Sequence, residues 1–226
     1  MALSDLSGDE QGIIFKKLCN VLNPRVAVDF SGASRGLRAA STPALRKELR
    51  DQHVTATALC IKMGLKDCKE LREAKDVRWE GDPWKVLSVT DLMTLATLGS
   101  VLPALERLSH HEWDGAAVPD GVPRLLAGLG AGAMPSLYEL SLSVLGGDAG
   151  ASALGAALDR GALPRLKNLD LGYADLSDAG LVALAPALRR RPALEHLNLS
   201  NNPFGNQGLR ALVAPPPPAD GSPPPT

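Results

Sequence analysis

The run His110-His111-Glu112-Trp113 is the stretch of this sequence best suited to hold a metal. Two imidazoles and a carboxylate are zinc-type donors, but a tetrahedral site needs a third or fourth ligand, and no cysteine lies near in sequence. The simpler reading puts His110 in place of an apolar residue on a strand and lets His111 point outward. Cys60 and Cys68 lie across a helix end with no activating neighbour, so free, buried thiols are expected rather than nucleophiles. The glycine-rich run 128–132 does not follow a strand and open a helix, which is the context a phosphate loop needs. Arg189, Arg190 and Arg191 close a helical stretch, where cations complement the helix dipole; a solvated helix end is expected. No acid, base and nucleophile converge, so the expectation is a non-enzymatic protein without metal or cofactor.

The elements that must position these residues are repeats. The spacing LxxLxL is clear at Leu194-Leu197-Leu199, Leu166-Leu169-Leu171 and Leu137-Leu140-Leu142. It is partial at Leu105-Leu108-His110 and weak at Ala74-Val77-Trp79. Counted from Ala74, successive starts are separated by 31, 32, 29 and 28 residues. Each phrase is followed by apolar residues at helical spacing, as in Leu154 and Leu158, or Leu181, Leu184 and Leu188. Each unit therefore reads as a short strand, a turn and a helix. A single unit cannot bury its leucines. Stacked units can, with the strands forming a parallel sheet and the helices lining the outside. Each buried leucine contributes roughly 1.5–3 kcal/mol.

The bulk composition agrees. Of 226 residues, 45% are hydrophobic and only 4% aromatic, so the core must be built from Leu, Ala and Val. The net charge of −1 carries no basic excess and argues against nucleic acid or an anionic membrane as partner. The three cysteines form no paired framework, which suits a reducing compartment. The first twenty residues do not read as a secretory leader, and the most apolar stretch, 86–105, is interrupted by Asp91 and Pro103. An intracellular protein, cytoplasmic or nuclear, is expected.

The repeated phrase resembles the leucine-rich repeats. The spacing and the segments "GDAGASAL", "SDAGLVAL" and "GNQGLRAL" are similar to their ribonuclease-inhibitor-like class, which carries a full helix per repeat. The resemblance covers about residues 65–213 and is most specific in the last three units. It implies an α/β fold: a short right-handed solenoid with parallel strands inside and helices outside. The family's asparagine after the strand is present at Asn202, where its side chain would bond the turning backbone. The matching positions in the two preceding units are Ala174 and Leu145.

Residues 1–64 do not repeat. Ser7 and Glu10 form a capping-box pair, Ile13, Ile14, Leu18 and Leu22 follow at helical spacing, and Asn23-Pro24 ends that helix. Thr42-Pro43 opens a longer helix predicted to run to Gly64, with Leu45, Leu49, Ala56, Leu59, Cys60 and Met63 toward the core. Leu6, Ile14-Phe15, Leu18, Asn23-Pro24-Arg25, the apolar run 26–30 and Ser34-Arg35-Gly36-Leu37 resemble an F-box. Two features depart from that motif: Ser7 stands where a proline is usual, and about one helical turn is inserted before Asn23. The resemblance implies an all-α F-box-like unit that docks a Skp-type adaptor of a cullin–RING ubiquitin ligase through Leu6, Ile14, Phe15, Leu18, Pro24, Val28 and Leu37. The repeats would then hold a protein substrate. The other reading of these helices is a plain cap on the solenoid.

Alternation along the strands defines the expected partner surface. Its outward residues are Asp76, Arg78 and Glu80; Arg107, Ser109 and His111; Glu139, Ser141 and Ser143; Asn168, Asp170 and Gly172; and His196, Asn198 and Ser200, with Tyr173 and Asn201 at the rim. A Ran-type GTPase-activating protein is a further reading on the same repeat class, with Arg107 or Asn201 as nominal rim residues. Residues 214–226 are a proline-rich tail expected to be disordered. The last repeat would leave Leu197, Leu199, Leu209 and Leu212 on an uncapped apolar end, which could meet a second copy of the chain.

Overall fold

The computed structural model describes residues 20–25, 43–80, 87–111 and 120–213, together with Ser7, Glu10 and Asp29. Five short strands fall on the repeated phrase: β1 (Asp76–Glu80), β2 (Arg107–His111), β3 (Glu139–Leu142), β4 (Asn168–Asp170) and β5 (His196–Asn198). They form one sheet in sequence order, every pair parallel. The register aligns the phrase copy on copy: Val77 faces Leu108, Leu108 faces Leu140, Leu140 faces Leu169 and Leu169 faces Leu197. His110 pairs with Trp79 on one side and Leu142 on the other, and it is buried in the leucine position as the pattern predicts.

Between the strands run the helices. α1 (Pro43–Lys62) and α2 (Cys68–Glu73) precede β1; α3 (Val89–Leu98), α4 (Gly121–Gly128), α5 (Gly147–Asp159), α6 (Asp178–Arg189) and α7 (Asn206–Val213) each follow one strand. Consecutive helices from α3 to α7 pack side by side. Local chemistry sets several helix starts. Asp67 accepts the Glu70 amide at α2, Ser88 and Asp91 form a capping box at α3, and Ser177 accepts the Ala179 amide at α6. Pro186 lies inside α6, and the helix continues to Arg189 rather than ending there.

One apolar core runs the length of the array, from Leu59 and Leu71 through Leu108, Leu140 and Leu169 to Leu184. α1 belongs to it: Ala56, Leu59, Cys60 and Met63 are buried as predicted, and the helix ends at Lys62, with Gly64 at φ +79° making the turn. Lys62 Nζ then meets the buried Asp91 carboxylate at 2.5 Å, tying α1 to α3. The core thus crosses residue 64 without a break. At the other end burial is partial: Leu197 is 37% and Leu209 46% exposed, whereas Leu199 and Leu212, expected on the same open end, are half-buried against the core. Among the described residues no helix is long and apolar enough to cross a membrane.

Of the F-box-like positions, Pro24 lies in a half-buried turn after Leu22. Leu6, Ile14, Phe15, Leu18, Val28 and Leu37 lie outside the described residues, as do Trp84, Glu112, Trp113 and the tail 214–226. The Ser7–Glu10 capping box is formed, with Ser7 N donating to Glu10 Oε2 at 2.8 Å and Glu10 N to Ser7 Oγ at 3.3 Å.

Candidate functional site: the strand wall

The outward residues of successive strands are held side by side by the ladder. Arg107 is in register with Asp76 and Glu139, Ser109 with Arg78 and Ser141, and Asp170 with Ser141 and Asn198. A shallow concavity of about 390 Å³ follows from this, lined by Arg78, Ser109, Glu139, Ser141, Asn168, Asp170, His196 and Asn198, with Leu169 beneath. All eight polar residues belong to the predicted surface. Ser143 and Ser200 lie one step further along, and Ser143 Oγ donates to the His110 carbonyl at 3.2 Å. The side chains of Glu80 and His111 lie outside the described residues. Tyr173 and Asn201 stand exposed at the rim, both with positive φ (60° and 57°).

Charge on the wall is locally organised. Arg78 and Arg107 both bind Asp76, at 3.0 and 3.1 Å, and Arg107 Nη1 also reaches the Tyr138 hydroxyl at 3.2 Å. The hydrogen bonds and charge from Arg78, with help from Arg107, hold Asp76 below the usual carboxylate range. Further along, Asp170 Oδ1 accepts Gly172 N at 2.9 Å and Asn198 Nδ2 at 3.0 Å, and Asn198 Oδ1 accepts Ser200 N and Oγ at 3.0 and 2.8 Å. Gly172 makes room for this: a Cβ there would lie 3.2 Å from both Asp170 Oδ1 and Asn198 Nδ2.

Other side chains knit repeat to repeat. Asn202 donates to the carbonyls of Leu171, Leu199 and Ser200 and accepts the Leu176 amide, as its position after the strand implies. Ala174 and Leu145, at the matching positions, are buried apolar residues that fill the turn instead. Arg191 is not a simple solvated helix end. Its guanidinium donates to the carbonyls of Leu158, Ala162 and Leu163, closing the end of α5, while Arg190 pairs with Asp159 at 2.6 Å. Arg160 does the same one repeat earlier, to Leu126, Ala127 and Leu129. Cys60 and Cys68 are free buried thiols, their Sγ atoms 3.9 Å apart.

Comparisons with known proteins bear on the last two units. Residues 163–185 and 192–213 match the family model described as Leucine Rich repeat. These two segments are leucine-rich repeats. The pig (Sus scrofa) ribonuclease inhibitor is 40% identical over 81 residues. That match covers 35% of this chain and 18% of the relative, so the chain spans a small part of the curated relative it matches. The two family segments hold β4 with α6 and β5 with α7, the units in which the repeated phrase is clearest. Leucine-rich repeats suggest a protein-interaction scaffold.

Proposed function

We propose that this leucine-rich-repeat chain is a non-enzymatic binding scaffold that holds a protein partner on its strand wall. The observation that carries the reading is the single concavity that gathers Arg78, Ser109, Glu139, Ser141, Asn168, Asp170, His196 and Asn198 from five strands. Its polar groups pair with one another and with backbone, and they offer a partner many directional contacts. A partner is captured by the wild type and by the helix-face variant Val182→Glu, and it is lost with the wall variant Asn168→Arg/His196→Glu. Loss with the helix-face variant and retention with the wall variant would refute the reading. The free Cys60 and Cys68 support a reducing, cytoplasmic or nuclear setting.

A finer reading makes the scaffold the substrate-recognition subunit of a Skp/cullin/F-box ubiquitin ligase. It is favoured by the formed Ser7–Glu10 capping box and the turn at Asn23-Pro24, which fit the F-box resemblance of the leading helix. Binding of a purified Skp-type adaptor, abolished by Ile14→Ala/Phe15→Ala, tests it; a folded chain with no affinity for the adaptor removes it. Self-association through the open end is a separate proposal. Among the described residues β5 pairs only with β4, and Leu197 and Leu209 are exposed beside it. Sedimentation velocity should show a concentration-dependent mass that Leu209→Glu reduces to monomer, and an unchanging monomer would remove this proposal.

A further inference from the structure

The wall is electrically lopsided. At its β1–β2 end two guanidiniums share the one Asp76 carboxylate. At its β3–β4 end Asp170 accepts the amides of Gly172 and Asn198, and it is in no salt bridge among the described residues. Glu139 makes no ion pair among the described residues, although its charge is felt at Arg78. Glu139 stands in register with Arg107, and Asp170 is in register with Ser141 one strand further. Between the two ends the floor is serine. Ser109 and Ser141 are 8% and 6% exposed and line the same concavity. Ser109 lines this concavity, so its hydroxyl is offered to the open side of the wall. A hydroxyl there can accept from a passing backbone amide or donate to a passing carbonyl.

Building on the strand-wall reading above, we propose that the wall takes an extended polypeptide segment laid across the strands, with a basic side chain against Glu139 and Asp170 and an acidic side chain against Arg78 and Arg107. The dimensions fit. Three inter-strand steps of about 4.8 Å separate β1 from β4, about 14 Å in all. An extended segment covers that span in about four residues, at roughly 3.3 Å each. Side chains at i and i+4 of an extended segment point to the same face. A base and an acid about four positions apart therefore meet the two ends of the wall together, and the backbone between them passes over Ser109. Small serines at the floor leave room for that backbone.

The test uses the full chain, labelled with ¹⁵N, and blocked seven-residue peptides as probes. The peptides carry Lys and Glu, Lys and Lys, Glu and Glu, or Gln and Gln at positions 2 and 6, with Gly and Ser elsewhere. The Lys/Glu peptide should shift the amides of Ser109, Ser141 and Asp170 and bind about threefold to tenfold more tightly than the Gln/Gln peptide, as expected for two exposed ion pairs. Glu139→Gln/Asp170→Asn should reduce that preference to about onefold, and about 0.5 M salt should do the same. Equal binding of Lys/Glu and Gln/Gln peptides at those amides overturns the charge rule while leaving the wall a binding surface. Absence of any shift from all four peptides overturns the segment rule. Failure of the scaffold reading looks different: a captured partner would then perturb the helices and leave the wall amides unmoved.

Discussion

The carboxylate of Asp148 occupies the space a side chain would need at Gly180. A Cβ there would lie 2.2 Å from Asp148 Oδ1. The same carboxylate accepts Ser177 N at 3.0 Å and Ser177 Oγ at 2.5 Å, so the first turn of α5 caps the start of α6. One repeat later Asp178 accepts Gly205 N and Gly208 N, at 2.8 and 2.6 Å, and a Cβ on Gly208 would lie 2.8 Å from it. An aspartate on one helix and a glycine on the next thus form a joint that recurs along the array. Gly180→Ala should displace the Asp148 carboxylate and cost about 1–3 kcal/mol in denaturant unfolding. Gly130→Ala, with open space around it, should stay within about 0.5 kcal/mol of wild type. Equal effects at the two positions would show that the joint carries no stability.

Asn202 should be as sensitive. Replacing it with Ala leaves the Leu176 amide and the Leu171 and Leu199 carbonyls without their side-chain partner in a half-buried turn. Asn202→Ala is expected to lose about 1–3 kcal/mol and to speed hydrogen exchange at the Leu176 amide. Unchanged exchange at Leu176 would contradict the bond's role.

Asp91 gives the chain a defined acid response. Burial pushes its carboxyl up, but bonds from Lys62 and Ser88 outweigh this and hold it below the ordinary value of 3.8. A folded-state value below the unfolded one means that the stabilisation is present above the unfolded value and is lost as pH falls through the folded one. Asp91→Asn should therefore be less stable than wild type at about pH 6, with the gap closing as pH drops below 3.8 toward about 2. A gap that stays constant with pH would place the effect in packing rather than ionisation.

The paired thiols should be inert in the native state. Burial first, and the adjacent Cys68 second, push the Cys60 thiol up to about 12. Because the thiolate is the reactive form, alkylation of Cys60 at about pH 8 should run at least about a hundredfold slower in the folded chain than in the unfolded one. Rapid native labelling of Cys60, read by mass spectrometry of its peptide, would show that α1 does not close over the core.

Much of this architecture is legible in the leucines. Leu108, Leu140, Leu169 and Leu197 recur at a spacing that only stacking satisfies, and the strand register follows that spacing. The polar wall then follows from alternation alone, which puts Ser109, Glu139 and Asn198 on one face of the sheet. The inter-repeat joints were not legible. "GDAG" and "SDAG" are visible as repeats, but nothing in one copy says that Asp148 reaches an amide 29 residues away at Ser177. Arg191 looks like part of a solvated basic run. Its three carbonyl partners belong to the preceding helix end, and spacing along one helix carries no information about them. The pairing of Arg78 and Arg107 on Asp76 is likewise a cross-strand fact that needs the register.

Site-specific photo-crosslinking tests the central claim most directly. A photoreactive residue is placed at Asn168 on the strand wall, and in a separate variant at Ala183 on the exposed side of α6. The account predicts a discrete protein adduct from position 168 that position 183 does not give. An adduct from 183 with none from 168 would move the binding surface to the helices and contradict it.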